Sequence, residues 1–384
     1  MKICHVITRL IVGGAQENTL LTCAGLQERG HAVTLLAGPE AGPEGSLLDE
    51  ARQGGYDLRI VESLRRPVDP LSDWRARREL ARLILQIRPE VVHTHSSKAG
   101  IIGRLAARDA GVPVIVHTIH GMSFNRTQRW PTRALYRHLE VWCSGFTDRI
   151  VSVADAMTRQ AIAAGLRPRT GFSTVYSAMQ TDWFSPERYD RSAVRREWRV
   201  GEEHIVVGAI ARLFRNKGYE QLIPAMAEAA RRDPRLRFVW VGDGVKRAEY
   251  EGRLCRLGIR DRVHLAGLVA PREVPRLIAG MDLLVHASQW EGLPRAAIQA
   301  LLMEKPVASF DIDGAPEVVI PGNTGLLVAL NDVPALAKAI VELAGDPARR
   351  AALGRAGRSL CLARFDAGAM VDQLEAIYRE LIAC

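Results

Sequence analysis

The stretch IVVGAIARLFRNKGYEQLI (205–223) decides the fold. Its opening IVVGAI (205–210) has no polar residue alternating with the apolar ones, the pattern of a parallel strand covered by helices on both faces. A short basic loop follows and leads into a helical segment, so a strand gives way to a crossover helix. FVWVG (238–242) repeats the same unalternating pattern. Working outward, similar short runs are expected as strands near 2–8, 31–37, 57–61, 90–94, 113–118, 148–153 and 172–176. A second series is expected near 204–210, 236–241, 262–266, 282–286, 306–310 and 325–328. Longer amphipathic segments separate them, which defines an α/β chain with two doubly wound, Rossmann-like sheets.

SAMQTDWFSPERYDRSAVRREW (177–198) is richer in charge and turn residues and reads as the link between domains spanning 1–183 and 184–365. From about 332 the strands stop and three helical stretches follow, the last at 366–384. Two such sheets facing one another would leave a cleft at the carboxyl ends of their strands, where sheets of this kind bind ligands.

Composition narrows the class. The 384 residues are 47% hydrophobic, 25% charged and 6% aromatic, which excludes disorder, collagen and coiled coil. The net charge of +9 is carried almost entirely by arginine, and it suits a solvated surface, a polyanion or an anionic membrane. Cysteines at 4, 23, 143, 255, 361 and 384 form no C-x-x-C pair, so reduced thiols in the cytoplasm are expected rather than a zinc cluster or disulfide framework. No run of about 18 uncharged apolar residues occurs, so any membrane contact is expected to be peripheral, at the inner face of the plasma membrane.

The candidate chemistry lies in loops after strands. Gly13 and Gly14 stand at the entrance of a helix after the first strand, where a bare backbone lets a phosphate or sugar approach the helix amides. The dinucleotide fingerprint G-x-G-x-x-G is missing, and no acidic residue closes the second strand, which weighs against a nicotinamide oxidoreductase. Arg212 and Lys217 follow the strand IVVGAI and supply two cations for a diphosphate, one as a fork and one as a point charge. Glu291 precedes a helix whose first turn offers amides around Arg295 and Ala296. A carboxylate placed there suits hydrogen bonds from sugar hydroxyls, or simply the positive end of the helix.

Three further features weigh less. His93 and His95 share one strand face at H-x-H spacing, but no third ligand is evident in the sequence, so a metal is not expected. Asp311 and Asp313 look like a D-x-D clamp without an acidic partner, and loop or cap chemistry is the expectation. His120 ends the strand VPVIVHTIHG, a position that points it at the cleft.

In order, GGAQ (13–16), HTHSSKAGIIGRLAA (93–107), VHTIHG (116–121), ARLFRNKG (211–218), VGDG (241–244), AGLV (266–269), EGLPRAAIQA (291–300), DGAPEVV (313–319) and GNTGLLV (322–328) run through the whole chain. Together they resemble glycosyltransferase family 4, retaining enzymes of the GT-B fold, in the branch that builds capsular, exopolysaccharide or cell-wall glycans. The resemblance implies an acceptor-binding first domain, a donor-binding second domain and a last helix that packs back on the first. It implies that Arg212 and Lys217 hold the donor diphosphate, that Glu291 contacts the transferred sugar, and that His120 lies near the reacting carbon. Gly13 and Gly14 would close over phosphate and acceptor, Arg295 and Ala296 would offer the helix terminus, and Val269 would meet the nucleotide base through its main chain. A nucleotide-sugar donor, in the first place a UDP-sugar, and a lipid-linked or growing glycan acceptor are implied, with no cofactor and no metal.

The family pattern E-x(7)-E is broken here, because Gln299 stands where the second glutamate holds the ribose hydroxyls. An amide oxygen still accepts a hydrogen bond, but about half as strongly as a carboxylate. Asp313 likewise stands where relatives usually have glycine. On the acceptor side, Arg126, Arg129, Arg133 and Arg137 would form one helical stripe beside Phe124, Trp130, Tyr136 and Trp142, a face suited to an anionic bilayer. Two other readings stay open, a nucleotide-sugar 2-epimerase and a non-catalytic partner subunit. Nucleic-acid binding is disfavoured, since the basic residues form no recognised module.

Overall fold

In a computed structural model of the chain, residues 1–383 are described except 40, 41, 43 and 44, and Cys384 lies outside the described residues. The strands are β1 (Lys2–Ile7), β2 (Ala32–Ala37), β3 (Asp57–Ile60), β4 (Val91–His95), β5 (Val114–Ile119), β6 (Arg149–Ser152) and β7 (Phe172–Thr174) in one sheet. A second sheet holds β8 (Ile205–Ile210), β9 (Leu236–Val241), β10 (Val263–Gly267), β11 (Leu283–His286), β12 (Val307–Phe310) and β13 (Gly325–Val328). Both sheets are parallel throughout. Every strand expected from the sequence is present, because an unalternating apolar run is stable only where helices cover both faces.

The first sheet has the order β3-β2-β1-β4-β5-β6-β7 and the second β10-β9-β8-β11-β12-β13. In each, the order reverses beside the first strand of the series, which opens a crevice between β1 and β4 and another between β8 and β11. Met1–Met179 with Ala367–Cys384 form one compact unit, and Gln180–Asp366 form the other.

β1 shows how the first unit is layered. Ile3 and Ile7 pack on one face, with residues of the helices Gly14–Glu28 and Ala367–Ala383. Cys4 and Val6 pack on the other, against Ala76, Leu80, Ile84 and Ile102 from the helices Pro70–Ile87 and Ser97–Asp109. The C-terminal helix joins this core through Met370, Val371, Leu374, Ile377, Tyr378 and Leu381, a spacing of three and four that puts all six on one face. At about 1.5–3 kcal/mol for each large apolar side chain buried, this face is enough to dock the helix. Arg29 to Asp372 at 2.6 Å and Arg149 to Glu380 at 2.7 Å fix its register at the rim.

In the second unit, the segment read as a link contains a helix, Arg191–Glu197. It is anchored by the buried Arg195, which donates to Gly201 O at 2.6 Å, His204 O at 2.8 Å and Asp282 at 3.2 Å. Helices Val333–Gly345 and Pro347–Arg364 complete this unit. Among the described residues, no helix is long and apolar enough to cross a membrane.

The arginine stripe differs from expectation. The helix starts at Trp130, with Pro131 in its first turn, so Arg126 and Arg129 precede it and only Arg133 and Arg137 lie on it. Arg137 is committed to Ala164 O at 3.0 Å. The helix is held from below by Glu140, which accepts from the fully buried Arg104 at 2.5 Å. Truncating one member of such a pair strands the other charge in the core. Glu140→Ala is therefore expected to cost about 3–5 kcal/mol in urea unfolding, while Arg104→Met with Glu140→Leu recovers most of it.

Candidate active site

The second unit concentrates charge at its crevice. Arg212 and Lys217 lie in the loop after β8, and Glu291 lies after β11, so the two central strands deliver them to neighbouring positions. Lys217 Nζ donates to Glu291 Oε1 at 2.5 Å. Ser288 Oγ donates to the same oxygen at 3.0 Å, and His286 Nε2 lies 3.7 Å from it. Burial works to raise the Glu291 pKa, but Lys217 and His286 outweigh it and hold the carboxyl well below the usual carboxylate range.

The loop that presents Lys217 is shaped by its backbone. Asn216 and Gly218 both have left-handed φ, 72° and 76°, and turn the chain sharply on either side of the lysine. A Cβ on Gly218 would lie 1.6 Å from Ala287 O, so only glycine lets the helix Tyr219–Arg232 start hard against the end of β11. Two buried tyrosines pin the same loop. Tyr219 donates to Ala211 O at 3.1 Å, and Tyr250 donates to Phe214 O at 3.3 Å and to Glu220 at 2.8 Å. Gln289 N donates to Asn216 O at 2.9 Å and ties the loop after β11 to the loop after β8. The Arg212 guanidinium lies 5.2 Å from the Phe214 ring centroid, a cation–π contact within the same loop.

Asp313 resolves the D-x-D motif. Its φ is 44°, in the left-handed region, and its Oδ2 accepts from Glu291 N at 2.9 Å. It braces the glutamate loop, whereas Asp311 is exposed. The helix Arg295–Leu302 begins as the sequence suggested, with Arg295 and Ala296 in its first turn and Gln299 one turn on from Arg295. Val269 stands apart from these, in the turn after the edge strand β10, where it lines a small recess with Trp198, His264 and Arg276.

The first unit carries Gly13, Gly14 and His120. Gly13 has an extended φ of 177°, and a Cβ there would meet only the end of the Gln16 side chain. Neither conformation nor packing demands glycine, so its effect is to leave the start of the helix Gly14–Glu28 bare. His120 follows β5 and is bonded from below, its Nε2 lying 3.1 Å from His95 Nδ1.

No spacing in the chain points to a third imidazole beside His93 and His95, but β1 supplies one. His5 is paired with His93 in the strand register, and its Nδ1 lies 2.9 Å from His95 Nε2. His5, His93 and His95 place one ring nitrogen each within 4.8 Å of the others, close enough to consider a shared ion. Their bonding fits a neutral network better. His93 spends Nδ1 on Tyr378 Oη at 2.5 Å and Nε2 on Thr118 Oγ1 at 2.6 Å. Burial pushes His5 down to about 3, and burial with mutual repulsion holds His93 and His95 well below the usual histidine range. The missing signal was the lone His5 in KICHVI, which only strand pairing connects to the H-x-H motif.

Two Rossmann-like units, with cations and a carboxylate at the crevice of the second, define the GT-B class of glycosyltransferases. Residues 12–173 match the model described as Glycosyltransferase Family 4, and 190–360 match that of Glycosyl transferases group 1. The chain belongs to the family 4 glycosyltransferases, and it is a glycosyltransferase. It is 25% identical over 386 residues to the UDP-Gal:alpha-D-GlcNAc-diphosphoundecaprenol alpha-1,3-galactosyltransferase of Escherichia coli, covering 100% of this chain and 97% of that one. It is 28% identical to a GDP-mannose-dependent alpha-(1-6)-phosphatidylinositol monomannoside mannosyltransferase of Mycolicibacterium smegmatis, over 91% of this chain and 90% of the relative. The crystal structure of Anabaena Alr3699/HepE in complex with UDP and glucose superposes with a TM-score of 0.83 at 22% identity, covering 98% of this chain and 99% of that one.

Three outcomes follow from the backbone and from the Glu291 environment. Gly218→Ala meets both the carbonyl of Ala287 and an unfavourable φ, and is expected to cost about 3 kcal/mol or more in urea unfolding. Gly322→Ala, with φ of 74° but open space around it, is expected to cost only about 1–2 kcal/mol. Because the folded pKa of Glu291 is depressed, its stabilising contribution is complete above the ordinary carboxylate range and is lost only as pH falls through the lower folded value. The difference in thermal midpoint between wild type and Glu291→Gln should therefore be as large at pH 5.5 as at pH 7.

Proposed function

We propose that this enzyme transfers a sugar from a UDP-sugar to a lipid-diphosphate-linked or growing glycan, with retention of anomeric configuration and no requirement for a divalent metal. The observation that carries the reading is the pairing of Lys217 with Glu291 at the β8/β11 crevice, with Arg212 on the same pinned loop. A nucleoside diphosphate leaves with negative charge growing on its bridging oxygen, and two fixed cations aimed at that oxygen stabilise it without a metal. The amides of Arg295 and Ala296 add the positive end of a helix. Glu291, kept ionised, accepts hydrogen bonds from hydroxyls of the transferred sugar.

The departing phosphate takes the proton of the attacking hydroxyl on the same face, so no protein nucleophile is assigned. Gln299 accepts from the ribose through a neutral amide, and Val269 meets the base through its main chain. Gly13, Gly14 and His120 are read, from the family resemblance alone, as binding residues of the first unit. The UDP-Gal-dependent relative and the UDP-bound neighbour support UDP, while the GDP-mannose-dependent relative makes the nucleotide the first property to measure.

The helix Trp130–Ser144 supports a peripheral contact with an anionic bilayer. Trp130 is 78%, Leu135 57% and Trp142 48% exposed, on a helix that also carries Arg133 and follows Arg126 and Arg129. Large apolar side chains beside arginines suit a lipid-linked acceptor presented at a membrane surface.

Calorimetry against UDP-, GDP-, ADP- and TDP-sugars is expected to show selective binding to a UDP-sugar, lost in Arg212→Ala and in Lys217→Ala. Binding to none of them by the folded protein would overturn the reading in favour of a non-catalytic subunit, and acceptor-independent epimerisation in an NMR time course would replace it with the 2-epimerase. Gln299→Glu is expected to tighten donor binding by roughly tenfold, the scale of one charge-assisted hydrogen bond. Cosedimentation with phosphatidylglycerol liposomes should fall sharply in Arg129→Glu/Trp130→Ser/Arg133→Glu; unchanged cosedimentation would remove the membrane contact.

A further inference from the structure

The helix Pro70–Ile87 of the first unit turns Ala76, Leu80 and Ile84 into the core. Its other side carries Leu71, Trp74, Arg75, Arg78, Arg82 and Leu85, all of them exposed. Spacings of three, one, three, four and three put these six on one stripe, about 100° wide and roughly 21 Å long. Leu71 is 68%, Trp74 54% and Leu85 56% exposed, and the Arg78 guanidinium lies 4.7 Å from the Trp74 ring centroid. The helix has two acidic residues, and both are engaged away from the stripe. Asp73 pairs with Lys98 at 2.5 Å, and Glu79 accepts from Ser63 Oγ at 2.5 Å. Arg77, also off the stripe, pairs with Asp109 at 2.6 Å. Among the described residues, no carboxylate pairs with Arg75, Arg78 or Arg82.

A single exposed leucine is ordinary, and a solvated helix face usually mixes both signs of charge. A stripe that interleaves arginine with large apolar side chains over about four turns is neither. We propose that this face of the helix Pro70–Ile87 rests on an anionic bilayer, with its guanidinium groups level with the phosphates and Leu71, Trp74 and Leu85 reaching beneath them. Charge complementarity selects that occupant, and a convex ridge suits a plane. Val68, 71% exposed in the preceding loop, extends the apolar side. The position of the helix in the unit agrees. The connections β3 to β4, β4 to β5 and β5 to β6 all cross the sheet in one direction, so right-handed crossovers put the helices Pro70–Ile87, Ser97–Asp109 and Trp130–Ser144 on the same side. The middle helix packs against both of the others, so two exposed faces flank it. The contact at Pro70–Ile87 requires neither the one at Trp130–Ser144 nor the sugar reaction.

Partition of the full chain onto phosphatidylglycerol vesicles tests the contact directly. Arg75→Gln/Arg78→Gln/Arg82→Gln should weaken it roughly a hundredfold, about fivefold for each arginine at an anionic surface, and the difference from wild type should shrink at high salt. Leu71→Ser/Trp74→Ser should weaken it at low and high salt alike. Neither set touches the buried side of the helix, so urea unfolding should be unchanged. Brominated phosphatidylglycerol should quench wild-type fluorescence more than that of Trp74→Phe, which places this ring in the bilayer. The same losses are expected in the Arg129→Glu/Trp130→Ser/Arg133→Glu background, so the two contacts succeed or fail separately. Unchanged partition in both helix variants, or equal quenching in wild type and Trp74→Phe, would overturn the proposal. Binding to soluble polyglutamate that depends on the three arginines, without binding to vesicles, would replace the bilayer with an acidic protein partner.

Discussion

The constraint on which the rest depends is that every strand in each sheet runs the same way. Parallel strands place all their carboxyl ends on one edge, and the reversal of strand order beside β1 and beside β8 leaves a gap there that no crossover helix fills. Loops after neighbouring central strands must then meet at that gap. Lys217 and Glu291 are 74 residues apart in sequence and share a hydrogen bond because β8 and β11 are adjacent. His5 and His95 meet across β1 and β4 for the same reason.

The two crevices solve opposite electrostatic problems. The second unit keeps its cations and carboxylate partly exposed and cross-braced, with Ser288, His286 and Asp313 around Glu291, an arrangement suited to a charged ligand. A lysine already paired to a carboxylate is held in place before any ligand arrives. The first unit places its polar groups in the sheet itself, where an unpaired charge would be costly, and burial there holds His93 and His95 well below the usual histidine range. Tyr378 links that network to the C-terminal helix, so the docking of the last segment of the chain also orders the rings around His95.

Legibility in the sequence followed the range of the interaction. Strands, the basic loop after β8 and the helix start at Arg295 depend on neighbours in the chain, and periodicity or turn chemistry reveals them. Asp313 was readable as an unusual residue in a glycine position, but its role as a brace for Glu291 depends on β11 and β12 lying side by side. The arginine stripe misled because three spacings compatible with a helix do not say where the helix begins; Pro131 in the first turn of the helix sets that. His5 was invisible as a partner, since a single histidine in an apolar strand carries no spacing at all.

The sequence by itself determined the class of fold, the family and the position of the basic loop after β8, because parallel strands, glycine turns and strand-end loops are written in local pattern. Tertiary structure alone decided which groups touch: Lys217 with Glu291, Asp313 with the Glu291 amide, and His5 through His95 with His120. Those contacts join residues tens of positions apart, and their strength comes from burial and from strand adjacency, neither of which exists until the sheets have formed.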